Sequence, residues 1–192
     1  MTTAEARPRW RGGWLGSAER RPSSNFGLRP PGVPVELIVV HSISLPPGEY
    51  GGDAIERLFD NRLDPSAHPY FRAVHGLRVS AHFLIRRDGA LLQFVSCDKR
   101  AWHAGASIWR GRPDCNDYAI GIELEGLEGE LFEAAQYERL AGVVRACAAR
   151  YPLAAVVGHE HVAPGRKKDP GSGFEWDKIR AQLVSLHLEW GA

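Results

Sequence analysis

No run in this 192-residue chain is apolar for the roughly 20 residues needed to cross a bilayer, so a membrane-spanning role is not expected. Charge of one sign is missing too. The formal net charge is only +1, and without a basic excess there is little to drive nonspecific nucleic-acid binding. Cysteine is scarce. Cys97, Cys115 and Cys147 are odd in number and fall in no metal-like spacing. Free thiols in a reducing cytoplasm are expected, not a disulfide framework. The opening MTTAEARPRWR has charge but no apolar segment behind it, unlike a secretory signal. Internal repeats, low-complexity tracts and a compact metal signature such as His-Glu-x-x-His are all absent. What remains is an ordinary globular composition, long enough for one domain with a substantial core.

Residues 1–34, rich in Arg, Pro, Gly and Ser, read as an N-terminal arm, with Trp10, Trp14 and Leu15 as its anchors. The domain proper is expected over 35–192. It opens on a β-branched run, 35–41, that suits a strand buried on both faces and ends at His41. A Pro/Gly loop follows, then a short helix over 53–61 capped by Asp53, then an irregular aromatic segment over 64–76. Asp88-Gly89 between two apolar runs signals a hairpin. In 119–126, Ile120, Ile122 and Leu124 alternate with Gly121, Glu123 and Glu125. A helix is expected over 134–151, a strand over 155–159 and a last helix over 174–188. Strands and helices in this order predict an α/β fold: one mixed β-sheet flanked by helices.

Residues 156–171 (VVGHEHVAPGRKKDPG) look most like a site, because a short strand delivers histidines into a Gly- and Pro-shaped loop. A catalytic zinc takes three protein ligands from His nitrogens and carboxylate oxygens and keeps one position open. His41 and His159 at strand ends, with Asp169 in a nearby loop, could form such a set, since strand ends on one edge converge on one crevice. His161 could compete, because on a strand it shares a face with His159. Glu123 is a base candidate, with Glu125 on the same face as its rival. Lys167 could hold an oxygen that turns negative when water attacks a carbonyl. His82 reads as a hydrogen-bonded core histidine.

Residues 39–49 (VVHSISLPPGE), 77–89 (LRVSAHFLIRRDG), 98–105 (DKRAWHAG), 115–117 (CND), 120–126 (IGIELEG), 158–159 (GH) and 167–171 (KKDPG) carry a resemblance. Together they resemble the zinc-dependent N-acetylmuramoyl-L-alanine amidases of the peptidoglycan-recognition type. Within these, the chain looks most like the cytoplasmic members that act on 1,6-anhydromuramoyl peptides in cell-wall recycling. The resemblance implies that His41, His159 and Asp169 bind Zn2+, that Glu123 is catalytic, and that Lys167 supports the tetrahedral intermediate. It further implies that Ser42, Arg78, Trp102, His103 and Arg166 bind substrate. The substrate would be a small muropeptide, and the enzyme a monomer with no nucleic-acid or membrane partner. A lytic amidase for polymeric peptidoglycan and a noncatalytic peptidoglycan-binding module are the alternatives. Three positions depart from the pattern. Ser42 stands where Asn is usual, Asp114 where an Arg is expected, with Arg112 as its substitute, and Lys168 where a small polar residue is usual.

Overall fold

The structure, a computed structural model, describes residues 8–191. Its frame is a seven-stranded mixed sheet. In chain order the strands are β1 (Glu19–Arg20), β2 (Leu37–Ile43), β3 (Phe83–Ile85), β4 (Leu91–Gln93), β5 (Ala119–Glu125), β6 (Ala155–Gly158) and β7 (Glu189–Trp190). Across the sheet they run β7-β6-β2-β5-β3-β4-β1, with every neighbouring pair parallel except the β3–β4 hairpin. The helices are α1 (Ala54–Phe59), α2 (Phe71–Val74), α3 (Ala134–Ala148), α4 (His159–Val162) and α5 (Trp176–Gln182). Among the described residues, no helix is long and apolar enough to cross a membrane.

Strand alternation sorts the central side chains to two faces. Ile38, Val40, Ile120, Ile122, Leu124 and Val156 pack with Leu140, Val144 and Ile179 of α3 and α5. On the other face Leu37, Val39, Ala119 and Val157 meet Cys115, Tyr118 and Val162. Leu84 and Leu92 carry that face toward α1 and α2, through Ile55, Phe59 and Phe71. The expectation of a doubly buried first strand holds, since Leu37 to His41 are all buried. So does the hairpin. Gly89 takes the positive φ of +83°, Asp88 Oδ1 accepts from the Ala90 N–H, and the Arg86 N–H closes onto the Ala90 carbonyl.

Three expected elements differ. The last helix stops at Gln182, not at 188. His187 turns the chain at φ +41°, and Glu189–Trp190 become an edge strand whose neighbouring amides bond the Ala154 and Val156 carbonyls. The pairing covers carbonyls on the edge of β6 that a continued helix, which satisfies only its own backbone, would leave open. The expected strand over 155–159 ends at Gly158, and His159 begins α4. The irregular 64–76 segment contains the short helix α2. In the N-terminal segment, Glu19–Arg20 pair with Leu92–Gln93, Leu15 is buried, and Trp10 packs edge-on against Tyr151. Residues 1–7 lie outside the described residues.

Glu125 closes β5 as a structural anchor. Its carboxylate is buried, accepts from Arg86 Nη1 at 2.7 Å, and also accepts from the Gly51 N–H at 2.7 Å and the Arg87 N–H at 3.2 Å. Arg86 reaches on to Glu56 and the Gly52 carbonyl, tying the 44–52 loop to the sheet. Removing Glu125 takes from Arg86 its most buried partner and leaves the Gly51 and Arg87 N–H groups without their acceptor. Glu125→Ala is therefore expected to cost about 3–5 kcal/mol in urea denaturation. A loss below about 1 kcal/mol would show that the network does not hold the loop.

Candidate active site

The parallel register builds the site. Val40 of β2 lies opposite Ile122 of β5 and opposite Gly158 of β6, and His41 lies opposite Glu123. His159 follows Gly158 directly, so three neighbouring strands bring His159, His41 and Glu123 into one row at their C-terminal ends. Such ends open into a crevice. Asp169 arrives from the loop after α4, where its carbonyl accepts the Glu160 N–H at 2.9 Å. Gly158 makes room for that loop, because a Cβ there would stand 2.8 Å from Pro170 Cδ.

His41 Nδ1, His159 Nδ1 and Asp169 Oδ2 converge with all three separations at 3.0 Å. Among the described residues this is the one His/Cys/Asp/Glu cluster able to hold a metal ion. The outer nitrogens indicate which way the lone pairs point. His159 Nε2 donates to the Ala104 carbonyl at 3.1 Å, so a neutral ring leaves its Nδ1 bare and facing inward. His41 Nε2 stands 3.0 Å from His103 Nδ1, a ring nitrogen able to accept its proton in the same way. Burial, only partly offset by Asp169, pulls His41 down to about 4, so it is neutral at pH 7. Burial pushes the Asp169 carboxyl up, but its contacts with His159 and His41 outweigh it and hold Asp169 well below the usual carboxylate range. The His41–Asp169 contact is therefore a neutral ring against a carboxylate, not an ion pair. Two inward lone pairs and a carboxylate oxygen suit a divalent cation. Ligand atoms on a tetrahedral zinc stand about 3.3 Å apart, close to the separations here.

Glu123 is buried beside this cluster, and its Oε2 finds no hydrogen-bond partner among the described residues. Burial, reinforced by the Asp169 charge and opposed by Lys167, raises its pKa well above the ordinary value. Glu123 and Glu125 share a face but are not equivalent, because Glu125 is consumed by Arg86. Lys167 is exposed, near enough for its charge to act on both Glu123 and His41.

The other expected residues fall in several places. His103 packs into the space above Gly121, where a Cβ would sit 2.4 Å from its ring. Trp102 is half-buried, its backbone N–H bonded to Ser80 Oγ at 3.1 Å. Ser42 is half-buried at the end of β2, and Arg78 is exposed between α2 and β3. Arg166 donates through Nη2 to the Ala104 and Ala106 carbonyls at 2.6 and 2.7 Å. Two readings are corrected. Arg112 does not stand in for an arginine at 114: it pairs with Glu36 at 2.7 Å, beside the start of β2, at the opposite end of the strands. His161 does not share a face with His159, because the pair lies on a helical turn. Its Nδ1 accepts the Gly158 N–H at 2.8 Å and its ring packs on Trp176. His82 is the satisfied core histidine expected, with Nδ1 accepting from the Gly121 N–H at 3.0 Å and Nε2 donating to the Lys99 carbonyl at 3.1 Å. Sequence reading passed over Asn116 and Gly121. A glycine inside a strand is a signal of close approach, and Asn116 lay in the CND stretch with no role attached.

Residues 31–172 match the N-acetylmuramoyl-L-alanine amidase family, and the chain belongs to that family. It is an N-acetylmuramoyl-L-alanine amidase. In particular it is similar to the 1,6-anhydro-N-acetylmuramyl-L-alanine amidase AmpD of Citrobacter freundii, with 53% identity over 180 residues, 92% of this chain and 96% of the relative. A crystal structure of a selenomethionine AmpD derivative superposes with a TM-score of 0.86 at 51% identity, covering 90% of this chain and 97% of that one. The amidase AmiD of E. coli, solved with anhydro-N-acetylmuramic acid-L-Ala-D-gamma-Glu-L-Lys, superposes with a TM-score of 0.59 at 28% identity, covering 84% of this chain and 60% of that one.

The buried Glu123 carboxyl has a pH signature in metal-free protein. Its raised folded pKa means that the stability contributed by the neutral carboxyl is present at low pH and lost as pH rises. Glu123→Gln should raise the Tm of metal-free protein by about 3 °C or more at about pH 7.5 and leave it nearly unchanged at about pH 4. An equal shift at both pH values, read by calorimetry, would contradict this burial.

Proposed function

We propose that this amidase is zinc-dependent and hydrolyses the amide between 1,6-anhydro-N-acetylmuramic acid and the L-alanine of a stem peptide, in cytoplasmic muropeptide recycling. The observation that carries the reading is the convergence of His41 Nδ1, His159 Nδ1 and Asp169 Oδ2 beside the unpartnered Glu123 carboxyl. High identity to AmpD along nearly the whole chain supports the anhydro substrate. Three unpaired cysteines suit a reducing compartment.

Bound by His41, His159 and Asp169, zinc would polarise the scissile carbonyl and make water a better nucleophile. Glu123 takes a proton from the attacking water and later gives it to the leaving amine of L-alanine. A carboxyl with a raised pKa suits both transfers, because it holds a proton more readily than an exposed glutamate does. The Lys167 ammonium neutralises the oxygen that becomes negative at the tetrahedral stage. Ser42, Arg78, Trp102, His103 and Arg166 line the substrate groove in this reading. Arg78 and the remaining N–H groups of the Arg166 fork face the carboxylates of the stem peptide.

Purified enzyme is expected to carry one zinc per chain by metal analysis and to lose activity on dialysis against a strong chelator, with recovery on adding zinc. Full turnover in a metal-free preparation would overturn the metal reading. Glu123→Ala should keep its zinc while kcat drops at least about 100-fold. Substrate choice is read by comparing a soluble anhydromuropeptide with intact peptidoglycan. Faster release of L-alanine peptides from the polymer would favour a lytic amidase instead.

A further inference from the structure

The histidine cluster is steered from outside by one side-chain oxygen. Asn116, in the 3-10 turn Cys115–Asp117 before β5, is buried, and its Oδ1 accepts two consecutive amides, the N–H of His103 at 3.1 Å and that of Ala104 at 2.9 Å. These two residues are the ones that reach the cluster. The Ala104 carbonyl takes the proton of His159 Nε2, and the His103 ring stands 3.0 Å from His41 Nε2. Both imidazoles that turn Nδ1 inward therefore have their outer nitrogens met by one short loop held by Asn116.

The turn that carries Asn116 is itself pinned by the N-terminal segment. Arg29 donates to four carbonyls: Cys97 at 3.2 Å, Asn116 at 3.1 Å, Asp117 at 2.9 Å and Ala119 at 2.9 Å. Burial pulls its guanidinium down to about 10, which leaves it charged at neutral pH. Only a planar fork reaches this many acceptors at once; a lysine would not.

We infer that Asn116, anchored by Arg29, is a positioning residue for the metal centre: it fixes the 103–104 backbone and thereby the tautomer and aim of His159 and His41. The inference rests on the reading of the two histidines as metal ligands. Outer partners of ligating histidines tune metal affinity, and losing one typically costs 10–100-fold.

The test is zinc affinity, measured by competition with a chromophoric chelator, together with the thermal unfolding of each metal-free protein. Asn116→Leu, similar in size but without an acceptor, should raise the zinc Kd at least about tenfold, whereas Asn116→Asp, which keeps an oxygen for both amides, should stay within about threefold of wild type. Arg29→Gln should weaken zinc in the same direction. Should the Asn116→Leu protein fail to fold, Asn116→Ser, too short to reach both amides, carries the same expectation. A purely structural Asn116 would lower the metal-free Tm and leave the zinc Kd unchanged, which overturns the inference. Failure of the wild-type protein to bind zinc would instead overturn the metal reading beneath it.

Discussion

A single register sets the rest of the site. With Val40 matched to Ile122 on one side and to Gly158 on the other, His41, Glu123 and His159 fall in one row. Slipping any of these strands by one residue would send its member to the opposite face, where Ile38, Val40 and Ile122 pack against α3 and α5. That hydrophobic face therefore specifies the geometry of the candidate site. Burying Ile120, Ile122 and Leu124 on one side fixes Gly121, Glu123 and Glu125 on the other. The core and the site are two readings of the same alternation.

Buried polar groups then fall into two kinds. Glu125, Gln136 and Arg29 are satisfied groups: each meets several partners and joins elements distant in sequence. Glu123 Oε2 and His103 Nε2 are unsatisfied among the described residues. Unpaired buried polar atoms cost about 1–3 kcal/mol each, and native proteins keep few of them. Of the six such atoms among the described residues, these two lie beside the histidine cluster.

Much of this was legible in the sequence. The first strand, the Asp88-Gly89 turn, α3 and the alternation around Glu123 follow from local patterns that tertiary packing reinforces. The resemblance brought His41, His159 and Asp169 together across 128 positions, which spacing alone could not do, since no short motif links them. What stayed hidden depends on backbone partners. His159 begins a helical turn whose Glu160 N–H is taken by the carbonyl of the returning Asp169, and apolar periodicity says nothing about that. The last helix ends at Gln182 although Leu183 and Leu186 continue its stripe, and the chain beyond pairs with the open edge of β6. Asn116 and Arg29 bind mostly backbone atoms, and a side chain whose partners are carbonyls and amides leaves no pattern of matched residue types.

The contrast between Glu123 and Glu125 shows why environment, not residue type, assigns the chemistry. Two residues apart on one strand face, they share identity and strand alternation. Glu125 sits where Arg86 and two backbone amides converge, so its charge is neutralised and its oxygens are spoken for. Glu123 sits where no donor reaches Oε2 and where the Asp169 charge adds to the desolvation. In the proposed reading, such a difference in partners is what separates a base from a strut. Exchanging the two roles would require moving Arg86 by one pleat, and Arg86 is held at the end of the β3–β4 hairpin by Glu56 and the Gly52 carbonyl. In the proposed reading, the choice of base is thus made by a hairpin and a loop.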